Sequence, residues 1–355
     1  MTPNAERPPL DVVRLAVDLM AIDSTSGREG DVIAHVDALL ASRGWRTTRI
    51  PVSEGRDTLL AAGDDAPVVT LSTHLDTVPP FIAPRLEGDR LHGRGACDAK
   101  GIAAAMICAA ERLRDSGIAV ALLFVVGEET VMDGSRAANA SPLAPSTSRV
   151  LINGEPTEST LGTGIKGALF LTLATRGFAA HSAYPALGRS AISGLVRLLA
   201  ELDALELPRD PVLGETTINV GRISGGVADN VFAPRAEARL MARLVSPPDE
   251  MVQRLREWVG DRAEITLGNA IPPVRLTPLP GWPTSVVAYA TDVPNLPRFG
   301  RPYLFGPGTI HVAHTDHEYV AVAELRAAVG AYERLAREAL GEQVLAARPA
   351  GATSR

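Results

Sequence analysis

The chain has 355 residues, of which 46% are hydrophobic and 21% charged, and its formal net charge is −6. These values are typical of one large or two moderate globular domains, and without clustered Lys and Arg they give no support for a nucleic-acid partner. No apolar run approaches the roughly 20 residues of a membrane span. Met1–Arg14 is polar and Pro-rich, unlike a secretory signal, and Cys97 and Cys108 form no disulfide framework, so we expect a cytoplasmic protein.

Strands alternating with helices are predicted along the first 155 residues. Ser26 and Glu29 have the form of a capping box, which predicts a helix reaching about Ser42. The alternation is typical of an α/β fold, in which a largely parallel sheet is covered by helices on both faces. Spacing and apolar runs predict further helices over Val12–Leu19 and Gly101–Arg114, and buried strands over Val68–Thr73, Val120–Val126 and Val150–Asn153.

The pattern changes after Gly164. A β-α-β-β-α-β order over about a hundred residues is typical of a small α+β insert of ferredoxin-like type. We therefore expect a catalytic domain in two parts, 1–164 and 271–355, with the insert over 165–270. A long helix is predicted from about Val322 to Leu340. Within the insert, strands are predicted over Leu169–Thr175, Thr216–Ile223 and Ala236–Leu244, and helices over Ser190–Leu202 and Pro248–Val259.

Side chains of the kind that bind metals follow the three buried strands. His74 ends the first strand, Glu128 and Glu129 follow the second, and Glu155 follows the third. Because the carboxyl ends of parallel strands meet at one edge of a sheet, where ligands of open α/β sheets bind, these side chains should lie close together. The sequence therefore predicts a site at this edge.

The residue types indicate a metal-dependent hydrolase. Imidazole is a common zinc ligand, and Asp76 can orient His74 by accepting its other ring N–H. Asp98, in a glycine-rich segment, can offer one oxygen to each of two metals. Of Glu128 and Glu129, one can bind metal while the other acts as general base. Taken singly, each has an ordinary alternative: a surface His–Asp pair, an Asp helix cap, or an exposed Glu pair.

Three histidines near the end of the sequence form a further candidate group. His311, His314 and His317 are spaced three residues apart, like a metal cluster. Their spacing alone does not choose among them.

These elements, in this order, resemble the M20 family, which includes acetylornithine deacetylase, succinyl-diaminopimelate desuccinylase, aminoacylase and carboxypeptidase-like enzymes. His74-Leu-Asp-Thr-Val-Pro79, Gly93–Gly101 and Gly154-Glu-Pro156 carry the resemblance, which extends from about Val12 to Leu340. It implies a zinc-hydrolase sheet with an inserted lid and dimerisation domain. It also implies two zinc ions, for which cobalt can substitute, with Glu128 as base, Asp76 orienting His74, and metal ligands His74, Asp98 (bridging), Glu129, Glu155 and His314. The second choice for the last ligand is His317.

The resemblance extends to substrate contacts. Gly177-Phe-Ala-Ala-His-Ser182 looks like the lid motif of the family, so His181 is expected to bind the oxyanion, often in the partner subunit of a homodimer. Asn230 and Arg243 align with residues that contact the substrate carboxylate or the tetrahedral intermediate, although Arg243 reads equally well as a strand-surface Arg. Gly308 belongs to a loop whose backbone N–H groups would hold the substrate carboxylate. After Asn230 the chain departs from the family, with Val-Phe-Ala-Pro234 in place of Val-Ile-Pro.

The resemblance predicts hydrolysis of the amide bond of a small N-acyl amino acid, in the manner of acetylornithine deacetylase. The alternatives are a carrier-protein-linked lysine or ornithine hydrolase, a succinyl-diaminopimelate desuccinylase, and an M20 dipeptidase or carboxypeptidase. A non-catalytic scaffold is the alternative of a different class, and the presence of Glu128 with a full ligand set argues against it.

Overall fold

The computed structural model describes residues 8–346, and for 342–346 it describes the backbone only. The chain divides into two compact units. The first comprises Met1–Thr163, Leu276–Ser285 and Thr291–Arg355, and the second comprises Gly164–Arg275 and Val286–Ala290. Within the described part of the chain, no helix combines the length and the apolar character that crossing a membrane requires.

The first unit is built on a six-stranded sheet. In spatial order, the first two strands form an antiparallel hairpin, and the second strand pairs antiparallel with the third. The third to sixth strands are parallel to one another. Three of the parallel strands are buried along their whole length, as their continuous apolar runs predict. In spatial order the strands are Arg46–Ser53, Arg56–Ala62, Val120–Val125, Val69–His74, Val150–Asn153 and Arg301–Leu304.

Apolar clusters lie on both faces of this sheet. On one face, the small residues of Lys100–Asp115 allow that helix to pack closely on Val69–His74 and Val120–Val125, and on two neighbouring helices. On the other face, Leu123, Val125 and Phe299 belong to a smaller cluster. The predicted α/β fold with a covered sheet is confirmed. The helices of this unit are Val12–Met20, Gly30–Ser42, Lys100–Asp115, Asp133–Ala140 and Val322–Ala346, and a small sheet pairs Arg85–Glu87, Arg90–His92 and Tyr319–Ala321.

The predicted capping box is wrong. Glu29 is itself the N-cap residue of the helix Gly30–Ser42 and makes no side-chain capping bond. Its buried carboxylate instead accepts hydrogen bonds from Arg56, and the Ser26 hydroxyl donates to Asp76 at 2.7 Å. Both side chains therefore serve partners that are distant in sequence.

The second unit contains a four-stranded antiparallel sheet with the strand order of a ferredoxin-like fold. The helices Ala191–Ala200 and Pro248–Val259 contribute Leu195 and Leu255 to its core, together with apolar residues of the sheet. In spatial order the strands are Thr217–Gly225, Arg235–Leu244, Gly167–Arg176 and Glu264–Ile271. The hairpin of Arg209–Asp210 and Gly214–Glu215 also belongs to this unit. Elsewhere in the described chain, Val274–Arg275, Leu161–Ile165 and Thr284–Val287 form a three-stranded sheet.

Candidate active site

The parallel strands of the first unit end at one edge of the sheet and deliver the predicted residues there. His74 is the last residue of its strand, and it pairs in register with Val125 on the neighbouring strand. Glu128 and Glu129 follow that neighbour by three and four residues, and Glu155 follows the strand on the other side. The topology therefore brings together side chains that are far apart in sequence.

Two histidines contact the two different carboxylate oxygens of Asp98. His74 Nε2 is 2.9 Å from Asp98 Oδ1, whereas His314 Nε2 is 3.3 Å from Oδ2 and 3.0 Å from the Glu129 carboxylate. His74, Asp98 and Glu129 can each present a ligand atom within 4.8 Å of the others. This is the arrangement in which one carboxylate can bridge two metal ions.

The second ring nitrogen of His74 has the environment expected of a metal ligand. Nδ1 donates to the backbone carbonyl of Asp76 at 2.9 Å, which leaves Nε2 for a metal. Burial by itself lowers the pKa of His74, but Asp76 and Asp98 outweigh burial and raise that pKa well above its ordinary value. Hydrogen bonds to Asp98 and Glu129 raise the pKa of His314 to about 10.

The carboxylates at this edge are crowded and buried. Burial, followed by repulsion from Glu155, raises the pKa of Glu128 well above its ordinary value. Burial also raises the pKa of Glu155, whose Oε1 has no hydrogen-bond partner among the described residues. A buried, unpaired carboxylate oxygen in an acidic cluster is costly, and a bound cation would remove that cost. The residues therefore fit a site for divalent metal ions.

Asp76 acts differently from the expectation. Its carboxylate Oδ1 is 3.6 Å from His74 Nδ1, too far for a hydrogen bond, so His74 is oriented by the Asp76 backbone carbonyl instead. The carboxylate accepts the backbone N–H of Glu128 on Oδ1 and that of Glu129 on Oδ2, each at 3.1 Å. Burial raises the pKa of Asp76, but these bonds and the nearby His74 more than offset burial, and the pKa is lowered.

Gly127 shapes the turn that carries the two glutamates. Its φ is +71°, and a Cβ there would lie 2.3 Å from Asp133 Oδ1 and 2.5 Å from Arg56 Nη2. Arg56 pairs with Asp133 at 2.7 Å and with the buried Glu29 at 3.0 Å. Since this ion-pair cluster occupies the space beside the turn, only glycine fits there.

Sequence reasoning missed Asp292. This side chain is 1% exposed, and neither of its carboxylate oxygens has a hydrogen-bond partner in the described part of the chain. Burial raises its pKa to about 6, and it interacts electrostatically with His74 and Asp76. Its position in a Pro-rich stretch carries no sequence signal of burial, so only the fold reveals a further acid near the cluster.

Of the three candidate histidines, His314 is the one that lies against the acidic cluster. His311 is exposed and lies 3.9 Å from Glu158, and His317 is exposed without an ion-pair partner among residues 8–346. His314 has a φ of +63°. The contacts of His314 with Asp98 and Glu129, which spacing cannot reveal, decide this choice.

The glycine loop differs from the expectation in its hydrogen bonds. The N–H of Gly308 donates to Glu324 Oε1 at 2.9 Å, and that of Gly306 donates to the Thr157 hydroxyl at 3.0 Å. The N–H groups of Gly306 and Gly308 are thus both engaged within the chain and not free for a substrate carboxylate. Gly308 is needed for space, since a Cβ there would lie 2.5 Å from the Cβ of Cys97.

The three remaining predicted residues lie in the second unit. His181 is exposed, and its Nδ1 accepts the N–H of Ala183 at 3.2 Å, so the neutral ring carries its proton on Nε2. Asn230 is exposed, and its backbone carbonyl accepts the backbone N–H of Ser182 at 2.8 Å. Arg243 is half-buried on the strand Arg235–Leu244.

A model of the peptidase family M20/M25/M40 matches residues 70–338, which include every candidate metal ligand. The chain belongs to this family. A relative named as a probable carboxypeptidase, from Aspergillus fumigatus, is 39% identical over 375 residues, covering 91% of this chain and 85% of the relative. The family and the relative agree with hydrolysis of amide or peptide bonds.

Solved structures show the same fold. A tripeptidase from Staphylococcus aureus superposes with a TM-score of 0.79 at 18% identity, covering 93% of this chain and 98% of the tripeptidase. An M20 metallo-carboxypeptidase from Sulfolobus solfataricus gives a TM-score of 0.74 at 17% identity, covering 93% and 99%. At these identities the likeness concerns the fold alone. Among the predicted activities, the names of the sequence relatives fit the carboxypeptidase alternative better than acetylornithine deacetylation.

Proposed function

We propose that this M20 family member is a metal-dependent carboxypeptidase that uses two divalent ions, most simply zinc. The observation that carries the proposal is the buried Glu128 beside the group formed by His74, Asp98, Glu129 and His314. The carboxypeptidase name of the 39% identical relative supports the substrate class. His74, Asp98, Glu129, Glu155 and His314 would hold the ions.

Glu128 is the proposed general base and acid. When bound, the metal ions supply Lewis acidity, which polarises the scissile carbonyl and activates water at neutral pH. Glu128 makes no ion pair in the described residues, so its carboxylate can take a proton from water and return it to the leaving amine. The bonds from Glu128 N and Glu129 N to Asp76 hold the turn on which both carboxylates sit.

The proposed substrate contacts are His181, Asn230 and Arg243. His181 Nε2–H is a donor suited to an oxyanion, since Nδ1 already accepts a backbone N–H. The guanidinium of Arg243 suits a C-terminal carboxylate, which it can bind with two parallel hydrogen bonds. Asn230 is proposed as a further polar contact to the substrate.

We also propose a homodimer formed through the second unit. Ile192 and Val196 lie one turn apart on an exposed helix face, and Ile223 is exposed on the edge strand Thr217–Gly225. Ile192 lies close to Gly226, which directly follows that strand. Apolar side chains on a helix and an adjacent sheet edge suit pairing with a second copy. Mixing inactive His181→Ala and Glu128→Gln proteins should restore part of the activity if His181 acts across the dimer. No recovery after verified subunit exchange contradicts this role.

Matched substrates test the activity. Zinc-loaded protein should hydrolyse an N-blocked dipeptide with a free C-terminal carboxylate, and should cleave the same dipeptide poorly when that carboxylate is amidated. N-acetylornithine, an unblocked dipeptide and a tripeptide serve as comparisons, each measured as kcat/KM with Zn²⁺ or Co²⁺ and after chelation. Faster turnover of N-acetylornithine, or equal turnover of the amidated peptide, contradicts the carboxypeptidase proposal. Undiminished turnover in metal-depleted protein contradicts the metal dependence.

A further inference from the structure

Glu318 is a buried carboxylate with an unusual set of partners. Its Oε1 accepts three backbone N–H groups, from Gly95 at 3.0 Å, Cys97 at 3.3 Å and Asp98 at 3.2 Å. Its Oε2 accepts a hydrogen bond from the fully buried Arg94 at 2.6 Å. A single side chain therefore accepts three of the six backbone N–H groups of residues 93–98.

Apart from the Glu318 side chain, the loop is held by separate backbone hydrogen bonds, such as that from the Arg94 N–H to the Ile82 carbonyl at 3.0 Å. Residues 93–99 form neither helix nor strand, and Gly95 has a φ of +86°. Without Glu318, three buried N–H groups would lose their acceptor, and leaving a buried donor unsatisfied is costly because that group has also lost its hydration. The loop would then rearrange to find other acceptors, and Asp98 is the residue that would move.

Glu318 also belongs to the segment that carries His314. The two residues are four positions apart, and Tyr319–Ala321 directly afterwards pairs with Arg90–His92. Arg94 adds a second link, because its Nη1 also donates to the carbonyl of Thr315 at 3.3 Å. The Arg94–Glu318 pair thus joins the loop of Asp98 to the loop of His314.

We infer that Glu318 is a positioning residue of the metal centre, which holds Asp98 and His314 in place for metal binding. The inference rests on the proposed metal-dependent function. In this inference, metal binding depends on the position of Glu318 Oε1 within hydrogen-bond distance of three backbone N–H groups. It does not depend on the charge of the carboxylate.

Two conservative variants separate the position of the Glu318 oxygen from the charge of the side chain. Glu318→Gln keeps an oxygen at the same distance but removes the charge that faces Arg94. Glu318→Asp keeps the charge but withdraws it by about 1.5 Å, the length of one carbon–carbon bond. Glu111→Gln is the matched control, since Glu111 is also buried and bonded to Arg43 and Trp45, about 16 Å along its helix from Lys100.

The measurement is metal binding to the full chain, independent of peptide turnover. Metal-depleted wild-type and variant proteins are titrated with Zn²⁺ against a competing chelator, and with Co²⁺ while the visible absorption spectrum is recorded. Glu318→Asp should bind the second equivalent about 10- to 100-fold more weakly and change the Co²⁺ spectrum. Glu318→Gln should stay within about threefold of wild type, although it melts at a lower temperature. Glu111→Gln should lower the melting temperature alone.

Three results overturn the inference. They are unchanged metal affinity in Glu318→Asp, an equal loss in Glu318→Gln, or a wild-type protein that binds no second ion. Tight metal binding without peptide turnover instead overturns the carboxypeptidase proposal and leaves the role of Glu318 in place.

Discussion

Replacing Asp76 by Asn removes an acceptor from the turn that carries the proposed base. The carboxylate accepts three bonds, from Glu128 N, Glu129 N and the Ser26 hydroxyl. An amide offers one oxygen, and its NH₂ group must face a donor. The less costly orientation puts the amide oxygen in place of Oδ2, which keeps the bonds from Ser26 and Glu129 and sacrifices the bond from Glu128.

The size of the effect follows from that count. Losing one bond to a buried charged acceptor costs about 1.5–3 kcal/mol of stability. The same loss frees the backbone of Glu128, and a displacement of about 1 Å at a catalytic group lowers the rate by about 100-fold. His74 should keep its orientation, because the acceptor of its Nδ1–H is the Asp76 carbonyl, which the substitution leaves unchanged.

We therefore expect Asp76→Asn to lower kcat by about 100-fold with KM and bound metal little changed. Steady-state kinetics on the blocked dipeptide, urea unfolding and metal analysis measure the three quantities. Ser26→Ala is the control, since it removes one bond to Asp76 and leaves both backbone bonds intact. A loss of metal that matches the loss of kcat would refute this reasoning and return Asp76 to the role of orienting His74.

Three further predictions concern the same edge of the sheet. Glu128→Gln should lower kcat by about 10²- to 10⁴-fold yet keep its metal, whereas Glu129→Gln should lose metal; metal analysis of both variants decides, and the reverse pattern exchanges the two roles. Gly127→Ala should destabilise the protein by at least about 1–2 kcal/mol, and by more than Gly55→Ala, which has the same φ but no atom within 4 Å of the added Cβ. Without metal, stability should fall between about pH 4 and 6, because burial raises the pKa of Asp292 from 3.8 to about 6 and the folded state therefore binds more protons than the unfolded chain in this range. Melting curves at both pH values test this, and an equal fall with zinc bound would contradict it.

The fold was predictable where a buried strand appears in the sequence as a continuous run of apolar residues. Val120–Val125 and Val150–Asn153 are continuous apolar runs, and both are buried strands. The hairpin strand Arg46–Ser53 was not predicted, because its arginines and threonines give no apolar run and most of its residues are partly or fully exposed. The capping box failed because Arg56 and Asp76, distant in sequence, compete successfully for Glu29 and Ser26.

The residues that form the metal site were predictable from the sequence, but the residues that hold them in place were less so. His74, Asp98 and Glu129 have the residue types of metal ligands, and they do lie together. Asp292, Arg56 and the Glu318 contacts were missed because their burial and their partners depend on the folded chain. The local motif predicted that the Asp76 carboxylate contacts His74. The backbone carbonyl of Asp76 makes this contact instead, and a sequence motif does not reveal contacts of the backbone.

The order of the residues along the chain has a consequence for biogenesis. Asp98 and Glu318 hydrogen-bond across 220 residues of sequence, and the whole second unit is synthesised between them. A nascent chain that has not yet produced His314 holds an acidic pocket with one histidine and an unsupported Asp98 loop. Closing so long a loop carries an entropic cost that other folding steps must first offset. If the proposed metal centre is correct, metal should bind late in folding, and a ribosome-bound fragment that ends before His314 should bind divalent metal more weakly than the full chain.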